Sequence, residues 1–366
     1  NRAFLFKILD AGDKRVQVLR RTSNEGGIAD YVGNLNSVKE AILPLLYKVD
    51  TLIPEEFKDT AELYVRATGG MRLISEDDQN SVWKALIEGL RADNTNPFAV
   101  VDNHFGTISG ESEAYYAVIS SNYIADRIDD NLVPLPGKKL IGALDMGGSS
   151  TQMIFHVGSE TSKEEDFWSH SWLTYGISSQ RHKVWKHIVD DYINITTPVS
   201  RKQKIISGDV VVLPDGSVES ATEESDDGYD IIVSNPCSFN GHVEALTHLH
   251  DEHGTLSVNM QGSGNAKECL QKIHNTMFDD HLHTCDVPTG YGNSGVDAPV
   301  PCCLEHEEGG ENRCVLNNIS LPEVIADEYY AMSAYYFAFD CVRELGGTDL
   351  PNWYVCVCVY LIVYGS

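Results

Sequence analysis

The stretch LIGALDMGGSSTQMIFHV, residues 140–157, decides the fold of this chain. Its apolar first part ends at Asp145, a turn follows at Gly147 and Gly148, and apolar and polar side chains then alternate up to Val157. An apolar run, a glycine turn and alternation with period two are typical of two strands joined by a tight hairpin. We therefore predict a β-hairpin whose turn begins with an aspartate.

The same arrangement occurs near the N terminus. There the apolar run at residues 3–9 ends at Asp10-Ala11-Gly12, and residues 14–20 again alternate between polar and apolar side chains. The two aspartates, Asp10 and Asp145, are 135 residues apart. A repeat on this scale indicates two related domains rather than a solenoid. The length of 366 residues agrees with two domains of about 150 residues each.

Helical patterns lie between and after the hairpins. Residues 38–49 carry apolar side chains at helical spacing, and Pro44 is expected to kink that helix. A second helix is predicted after Ser75, which stands before an acidic first turn and an apolar stripe. A short strand is predicted at residues 63–65 and a further helix at residues 321–342. This alternation of strands and helices predicts an α/β fold.

The charge of the chain limits its partners. It has 27 Lys and Arg against 54 Asp and Glu, a formal net charge of −27. Such a protein does not bind a nucleic-acid backbone by releasing counterions, so DNA and RNA are excluded as partners. If the ligand is itself an anion such as a nucleotide, a divalent cation has to mediate its binding.

The cysteines indicate an oxidising compartment. All nine lie at or after Cys237, and they do not form the paired Cys-x-x-Cys and His pattern of a zinc site. Clustered cysteines in a loop-rich region indicate disulfides, and the sequons at Asn194 and Asn318 agree with a secreted or lumenal glycoprotein. The longest apolar run, residues 354–364, is shorter than the ~18 residues of a membrane span, so none is expected in this chain.

The two glycine turns indicate phosphate chemistry. Glycine lets backbone N–H groups approach phosphate oxygens closely, and an aspartate at the start of each turn can hold a hydrated divalent cation. Between the turns, Glu113 stands at the start of a predicted helix. A carboxylate there is either a helix cap or a general base that activates water for attack on a phosphoryl group.

Five segments occur in a set order along the chain, and two further segments follow the fourth of them. The five are residues 10–12 (DAG), 67–73 (ATGGMRL), 110–116 (GESEAYY, followed by Asn122-Tyr123), 145–152 (DMGGSSTQ) and 332–336 (MSAYY), and the two are residues 170–176 (HSWLTYG) and 235–237 (NPC). They resemble the apyrase motifs and adjoining segments of the nucleoside triphosphate diphosphohydrolases, which belong to the actin–hexokinase superfamily.

This resemblance implies a role for each matching residue. Glu113 matches the catalytic base, and Thr68, Ser150 and Gln152 match groups that position the attacking water. The phosphate-binding positions are Ala11, Gly12, Gly147, Gly148 and Ser149. Asp10 and Asp145 match the aspartates that hold Ca²⁺ or Mg²⁺ through water. The implied reaction is hydrolysis of nucleoside triphosphates, diphosphates or both to the monophosphate by direct water attack.

The resemblance also implies an architecture. We expect two actin-like (ribonuclease H-like) α/β domains with mixed sheets flanked by helices and the active site in the cleft between them. Domain I is expected at residues 1–112 plus about 351–366, and domain II, with disulfide-rich insertions, at residues 113–350.

One departure from the family pattern leaves alternatives open. In the family the first loop continues as Asp-Ala-Gly-Ser/Thr-x-Gly-Ser/Thr, whereas here Asp13 follows Gly12 directly and the loop is about two residues short. One alternative is therefore a weakened member that binds nucleotides or a surface partner. A further alternative, which does not depend on this loop, is a phosphatase of the same superfamily that acts on polyphosphate or guanosine polyphosphates.

Overall fold

The structure is a computed structural model of the chain. It describes residues 1–8, 16–24, 26–158, 161–196, 210–212, 218–220, 232–251, 254–276, 314–315, 319–322 and 326–335. The strands are β1 (Arg2–Ile8), β2 (Val16–Ser23), β3 (Val65–Ala67), β4 (Phe105–Thr107), β5 (Gly142–Met146), β6 (Ser150–His156), β7 (Phe167–Leu173), β8 (Val210–Val212), β9 (Val218–Ser220), β10 (Ile232–Asn235), β11 (Val243–Asp251), β12 (Gly254–Gly262), β13 (Cys314–Val315), β14 (Ile319–Ser320) and β15 (Tyr329–Ser333). The α-helices are α1 (Leu43–Asp50), α2 (Gly69–Arg72), α3 (Glu76–Ala92), α4 (Gly110–Ile124), α5 (Ile177–Thr196) and α6 (Ala266–His274).

The described residues form two compact units. The first contains β1 to β7, α1 to α4 and β15, and the second contains β8 to β14, α6 and α5 from Ser178 onward. The domain boundary predicted near residue 112 lies inside the first unit, and the predicted division stays a prediction.

The central sheet of the first unit has the strand order β15-β5-β6-β7. β5, β6 and β7 are antiparallel neighbours, whereas β15 pairs with β5 in parallel. The predicted hairpin around Asp145 is therefore confirmed as β5 and β6. The strand predicted at residues 14–20 is confirmed from residue 16 onward, since β1 and β2 pair antiparallel, while residues 9–15 lie outside the described residues.

Helix α4 covers this sheet with an apolar face. Ala114, Ala117 and Val118 of α4 pack with Ala143 of β5 and Ile154 of β6, and all five side chains are buried. Burial of this kind contributes about 25 cal/mol per Å² of apolar surface. The N-terminal turn of α4 is thereby held beside the ends of the strands.

A second core lies around α1, α3 and β4. Val82, Leu86 and Leu90 form the buried stripe of α3, and the Ser75 hydroxyl accepts a hydrogen bond from the Asp78 backbone N–H. Both features of this helix were predicted. β3 and β4 pair in parallel beside this core, so the loops that follow both strands leave the same edge.

Two local predictions need correction. A short 3₁₀ segment, Leu35–Ala41, precedes α1, and Pro44 lies in the first turn of α1 instead of kinking one long helix. Proline lacks an N–H donor, and the first turn is where a helix needs none.

The helix predicted over residues 321–342 is wrong for residues 329–333, and the described residues become helical only at residues 334–335. Residues 329–333 form strand β15 and pair along β5. Tyrosine favours strands, and Tyr329 packs edge-on against Phe155 of β6. The mixed α/β class with a mixed sheet is confirmed, while the actin-like two-domain arrangement stays a prediction. Among the described helices, none combines the length and apolar character needed to cross a bilayer.

Candidate active site

A glycine loop joins β5 to β6. The Gly147 N–H donates to the Ser150 carbonyl at 2.9 Å, and the Ile177 N–H donates to the Gly147 carbonyl at 3.0 Å. Gly176 lies so close beneath this loop that a β-carbon there would be 2.4 Å from the Ser149 nitrogen. Gly176 and Ile177 therefore pack closely against the loop and hold it in place. The predicted phosphate-binding residues Gly147, Gly148 and Ser149 form one short turn.

Glu113 lies in the first turn of α4, but the helix cap is another residue. The Ser109 hydroxyl accepts a hydrogen bond from the Ser112 backbone N–H at 3.0 Å, and this is the capping contact. The Glu113 side chain is 14% exposed and turns away from the helix axis toward Arg72. The Glu113 carboxylate therefore pairs with Arg72 and does not cap the helix.

Arg72 links three segments of the site. Its Nη2 donates to Glu113 Oε2 at 2.8 Å and to Ser150 Oγ at 3.0 Å, and its Nη1 donates to the Ile108 carbonyl at 2.9 Å. The guanidinium and the carboxylate are only 15% and 14% exposed. The planar fork of an arginine suits such convergent contacts, which a lysine ammonium does not reproduce.

Gln152 extends the same network along β6. Its Nε2 donates to Ser150 Oγ at 2.9 Å and to Ser171 Oγ at 2.8 Å, which uses both of its N–H donors. The Gln152 side chain is buried, and within the described part of the chain its Oε1 has no hydrogen-bond partner. An acceptor left unpaired in this way is suited to receive a proton donor such as water.

Burial raises the pKa of the Glu113 carboxyl above its ordinary value. The Arg72 guanidinium opposes this shift, the charge of Asp145 adds to it, and the Thr68 hydroxyl lowers the pKa slightly. A carboxylate that is buried and only partly neutralised by its partner is a stronger base than a solvated one. The same interactions show that Thr68 and Asp145 lie near Glu113.

Asp145 ends the apolar part of β5. Burial raises its pKa, which Ser333 lowers by hydrogen bonding and Arg2 lowers by its charge. Its Oδ1 is buried and, among the described residues, lacks a hydrogen-bond partner. The hydroxyl of Tyr335 is likewise buried, and both burial and the Asp145 charge raise the pKa of Tyr335.

This environment fits a divalent cation. An unpaired buried carboxylate oxygen is costly without a counter-charge, and oxygen donors are the ligands that Ca²⁺ and Mg²⁺ take. Within the described ranges, no three His, Cys, Asp or Glu side chains surround one position. The other predicted cation ligand, Asp10, lies outside the described residues.

The candidate groups line a cavity of about 2130 Å³ in the first unit. Thr68, Glu113, Asp145, Gly147 and Gly148 line one part of it, together with Arg2 and Ser333. Apolar side chains of β1, of α1 and of the segment after α1 line much of the remainder. The cavity gives a ligand direct access to the glycine loop and to the base.

The structure thus brings together most of the predicted site. Thr68, Glu113, Asp145, Ser150 and Gln152 lie in one network next to the loop of residues 147–149. Asp10, Ala11 and Gly12 lie outside the described residues.

Three residues of the network were not singled out from the sequence. Arg72, Ser171 and Ser333 each stand inside a segment that carries the resemblance, yet no role had been assigned to them. The only sign in the sequence that these residues belong to the site is their location inside those segments.

Comparison with known proteins agrees with the motifs. A Golgi apyrase of Saccharomyces cerevisiae is 24% identical over 318 residues, which are 85% of this chain and 44% of that protein. A guanosine-diphosphatase of Schizosaccharomyces pombe is 26% identical over 187 residues, which are 46% of this chain and 32% of that protein. The chain therefore spans less than half the length of these two relatives.

One solved structure was also aligned, that of nucleoside triphosphate hydrolases from Neospora caninum. The alignment covers 88% of this chain and 62% of the Neospora caninum chain, with 14% sequence identity and a TM-score of 0.47. The sequence pattern of the GDA1/CD39 (nucleoside phosphatase) family matches residues 2–307. Because this match covers most of its 366 residues, the chain belongs to the GDA1/CD39 nucleoside phosphatase family.

Proposed function

We propose that this chain hydrolyses nucleoside triphosphates, diphosphates or both to the monophosphate and phosphate. Its family membership and the printed activities of its relatives, apyrase and guanosine-diphosphatase, support the proposal. The observation that carries it is the pair formed by the partly buried Glu113 carboxylate and the buried, unpaired Gln152 Oε1, which are joined through Arg72 and Ser150.

In this proposal Glu113 and Gln152 orient the attacking water. A water between them donates one proton to the carboxylate and the other to Gln152 Oε1, so that a lone pair on its oxygen faces the phosphorus. As the new bond to phosphorus forms, the bridging oxygen leaves with the electron pair of the broken bond. Glu113 takes the proton, and no covalent bond forms between the protein and the phosphoryl group.

Ser150 holds the two halves of this arrangement in place. Its oxygen accepts from both Arg72 and Gln152, at 3.0 and 2.9 Å, which leaves its single O–H to act as a donor. A donor at this position can bind either the water or a phosphate oxygen. Thr68, whose hydroxyl hydrogen-bonds Glu113, adds a second hydroxyl near the same place.

The glycine loop binds the phosphates in this account. Backbone N–H groups of Gly147, Gly148 and Ser149 offer fixed donors to oxygens whose negative charge grows during the reaction. Asp145 is the described residue that would hold the hydrated cation, Ca²⁺ or Mg²⁺. When bound, the cation supplies positive charge that offsets the repulsion between a polyphosphate and a protein of net charge −27.

The compartment and the domain arrangement are part of the proposal. A relative named for the Golgi and the disulfide between Cys237 and Cys269 support a location in the secretory pathway or outside the cell. Family membership supports two actin-like domains, residues 1–112 with about 351–366 and residues 113–350.

One sequence feature favours a second candidate function. Asp13 places a negative charge where the family pattern has a phosphate-binding hydroxyl residue. A weakened member that binds nucleotides and turns them over slowly accounts for that feature.

The test is phosphate release from ATP, ADP, GDP and inorganic polyphosphate, each with Ca²⁺, with Mg²⁺ and with excess chelator. We expect release from nucleotides that stops in chelator. Release that continues in chelator contradicts the cation, and tight nucleotide binding without release supports the weakened member. Release from polyphosphate alone contradicts the proposed substrate.

A further inference from the structure

Ser171 lies in β7, directly opposite Gln152 of β6 in the antiparallel register. Its hydroxyl accepts the second N–H of Gln152 at 2.8 Å, while Ser150 accepts the first at 2.9 Å. Both amide donors are therefore tied down, which fixes the direction of the buried acceptor Oε1.

The other side of Ser171 contacts the start of helix α4. A β-carbon placed on Gly110 would lie 2.2 Å from both the β-carbon and the hydroxyl oxygen of Ser171. Contacts this short do not occur, so only glycine allows α4 to approach β7 here. Glu113 stands three residues after Gly110, which places both on one side of the first turn.

We propose that Ser171 is a positioning residue that aligns the two groups which orient the attacking water. Its hydroxyl aims the amide of Gln152, and its contact with Gly110 sets how closely the turn carrying Glu113 approaches that amide. The inference rests on the proposed function. Arg72 holds the same turn through the Ile108 carbonyl and Glu113, and its Nη2 would lie 3.8 Å from a β-carbon on Gly110.

The two roles of Ser171 predict different results from different variants. Ser171→Ala removes only the hydroxyl. We expect kcat to fall about tenfold or more, because Gln152 Oε1 is then no longer held in the direction that orients the attacking water. KM and the acidic limb of the pH profile should stay near wild type, since the hydrogen bond that is lost is to Gln152 and not to Glu113. The melting temperature should fall modestly, because a buried N–H of Gln152 is left without its acceptor. Gly110→Ala should lower both the melting temperature and kcat, by about a hundredfold in kcat for a shift near 1 Å.

A double variant separates the contact from the hydrogen bond. Ser171→Gly removes both atoms that would collide with a new β-carbon, so Gly110→Ala/Ser171→Gly should regain the melting temperature of Ser171→Gly. Its kcat should match that of Ser171→Gly and not that of wild type, since the hydroxyl is still missing. Ser169→Ala, two residues earlier on β7, is the matched control and should keep the wild-type kcat.

Steady-state phosphate release and thermal unfolding of these variants test the inference. If the wild type is active and Ser171→Ala keeps more than half of the wild-type kcat, the role of the hydroxyl is overturned. A double variant as unstable as Gly110→Ala overturns the role of the contact. Inactive wild type under every nucleotide and cation condition contradicts the proposed function itself, and the inference fails with it.

Discussion

Arg72 and Glu113 form a partly buried ion pair, with Nη2 donating to Oε2 at 2.8 Å. The same guanidinium reaches Ser150 on β6, so a single side chain connects the base to the loop that would bind phosphate. Burial raises the pKa of Glu113 and Arg72 lowers it, and burial is the larger effect. The Arg72 charge therefore keeps the Glu113 carboxylate ionised, while burial leaves it basic enough to take a proton readily.

This balance predicts the pH dependence of Arg72 variants. Arg72→Gln removes the positive charge that lowers the pKa of Glu113, so the carboxyl stays protonated to a higher pH. The acidic limb of kcat/KM should move to higher pH, and kcat should fall. Arg72→Lys keeps the charge and is the matched control, with a smaller displacement of the limb. An unmoved limb in Arg72→Gln would mean that Glu113 is not the group titrating there.

Asp145 should contribute directly to cation affinity. Asp145→Asn keeps the shape of the side chain but removes the charge beside the unpaired buried oxygen. We expect Ca²⁺ affinity, measured by calorimetry without nucleotide, to fall at least about tenfold, the equivalent of roughly 1.4 kcal/mol. Asp77→Asn, in the exposed first turn of α3, is the control and should bind Ca²⁺ as wild type does. Equal affinity in the two variants would rule out Asp145 as a ligand.

The disulfide Cys237–Cys269 should stabilise the second unit. It closes a loop with a sequence separation of 32 residues between the turn after β10 and helix α6. A loop of this length corresponds to about 3 to 4 kcal/mol in the chain-entropy account. Cys237→Ala/Cys269→Ala should therefore melt at a lower temperature than the oxidised wild type, and mild reductant should reproduce the loss. Peptide mapping that finds both thiols free would contradict the pairing.

The short first loop should limit the rate. Replacing Asp13 by Ser-Thr-Gly-Thr lengthens the loop by three residues to match the family pattern and removes the charge. Since one fixed donor to a developing charge is worth about 10²- to 10³-fold in kcat, we expect a rise of at least tenfold. Steady-state phosphate release measures it, and the acidic limb set by Glu113 should not move. If the insertion leaves kcat unchanged, the loop of residues 147–149 suffices alone.

The sequence predicted those parts of the structure that depend on neighbouring residues. The hairpin of β5 and β6 follows from a glycine turn and period-two alternation, and the start of α3 follows from the Ser75 cap. Glu113, Ser150 and Gln152 were placed in one site because their segments resemble known motifs, and the structure brings the three together.

The remaining features depend on contacts between distant segments. β15 pairs with β5 across more than 180 residues of sequence, and the sequence alone led to a helix being predicted where this strand lies. The roles of Arg72 and Ser171 come from partners on other strands and helices, and a single sequence does not report such contacts. The same holds for the Gly110 contact, which is defined by a strand some sixty residues later.

The most direct test of the account compares Glu113→Gln with Glu111→Gln. Both glutamates lie in the first turn of α4, but Glu111 interacts with His170, whereas Glu113 pairs with Arg72. Steady-state phosphate release from ATP and ADP should show kcat lowered by about 10²- to 10⁴-fold in Glu113→Gln, with KM little changed, and near wild type in Glu111→Gln. A Glu113→Gln variant that keeps the wild-type kcat, or a Glu111→Gln variant that loses it, would contradict the account.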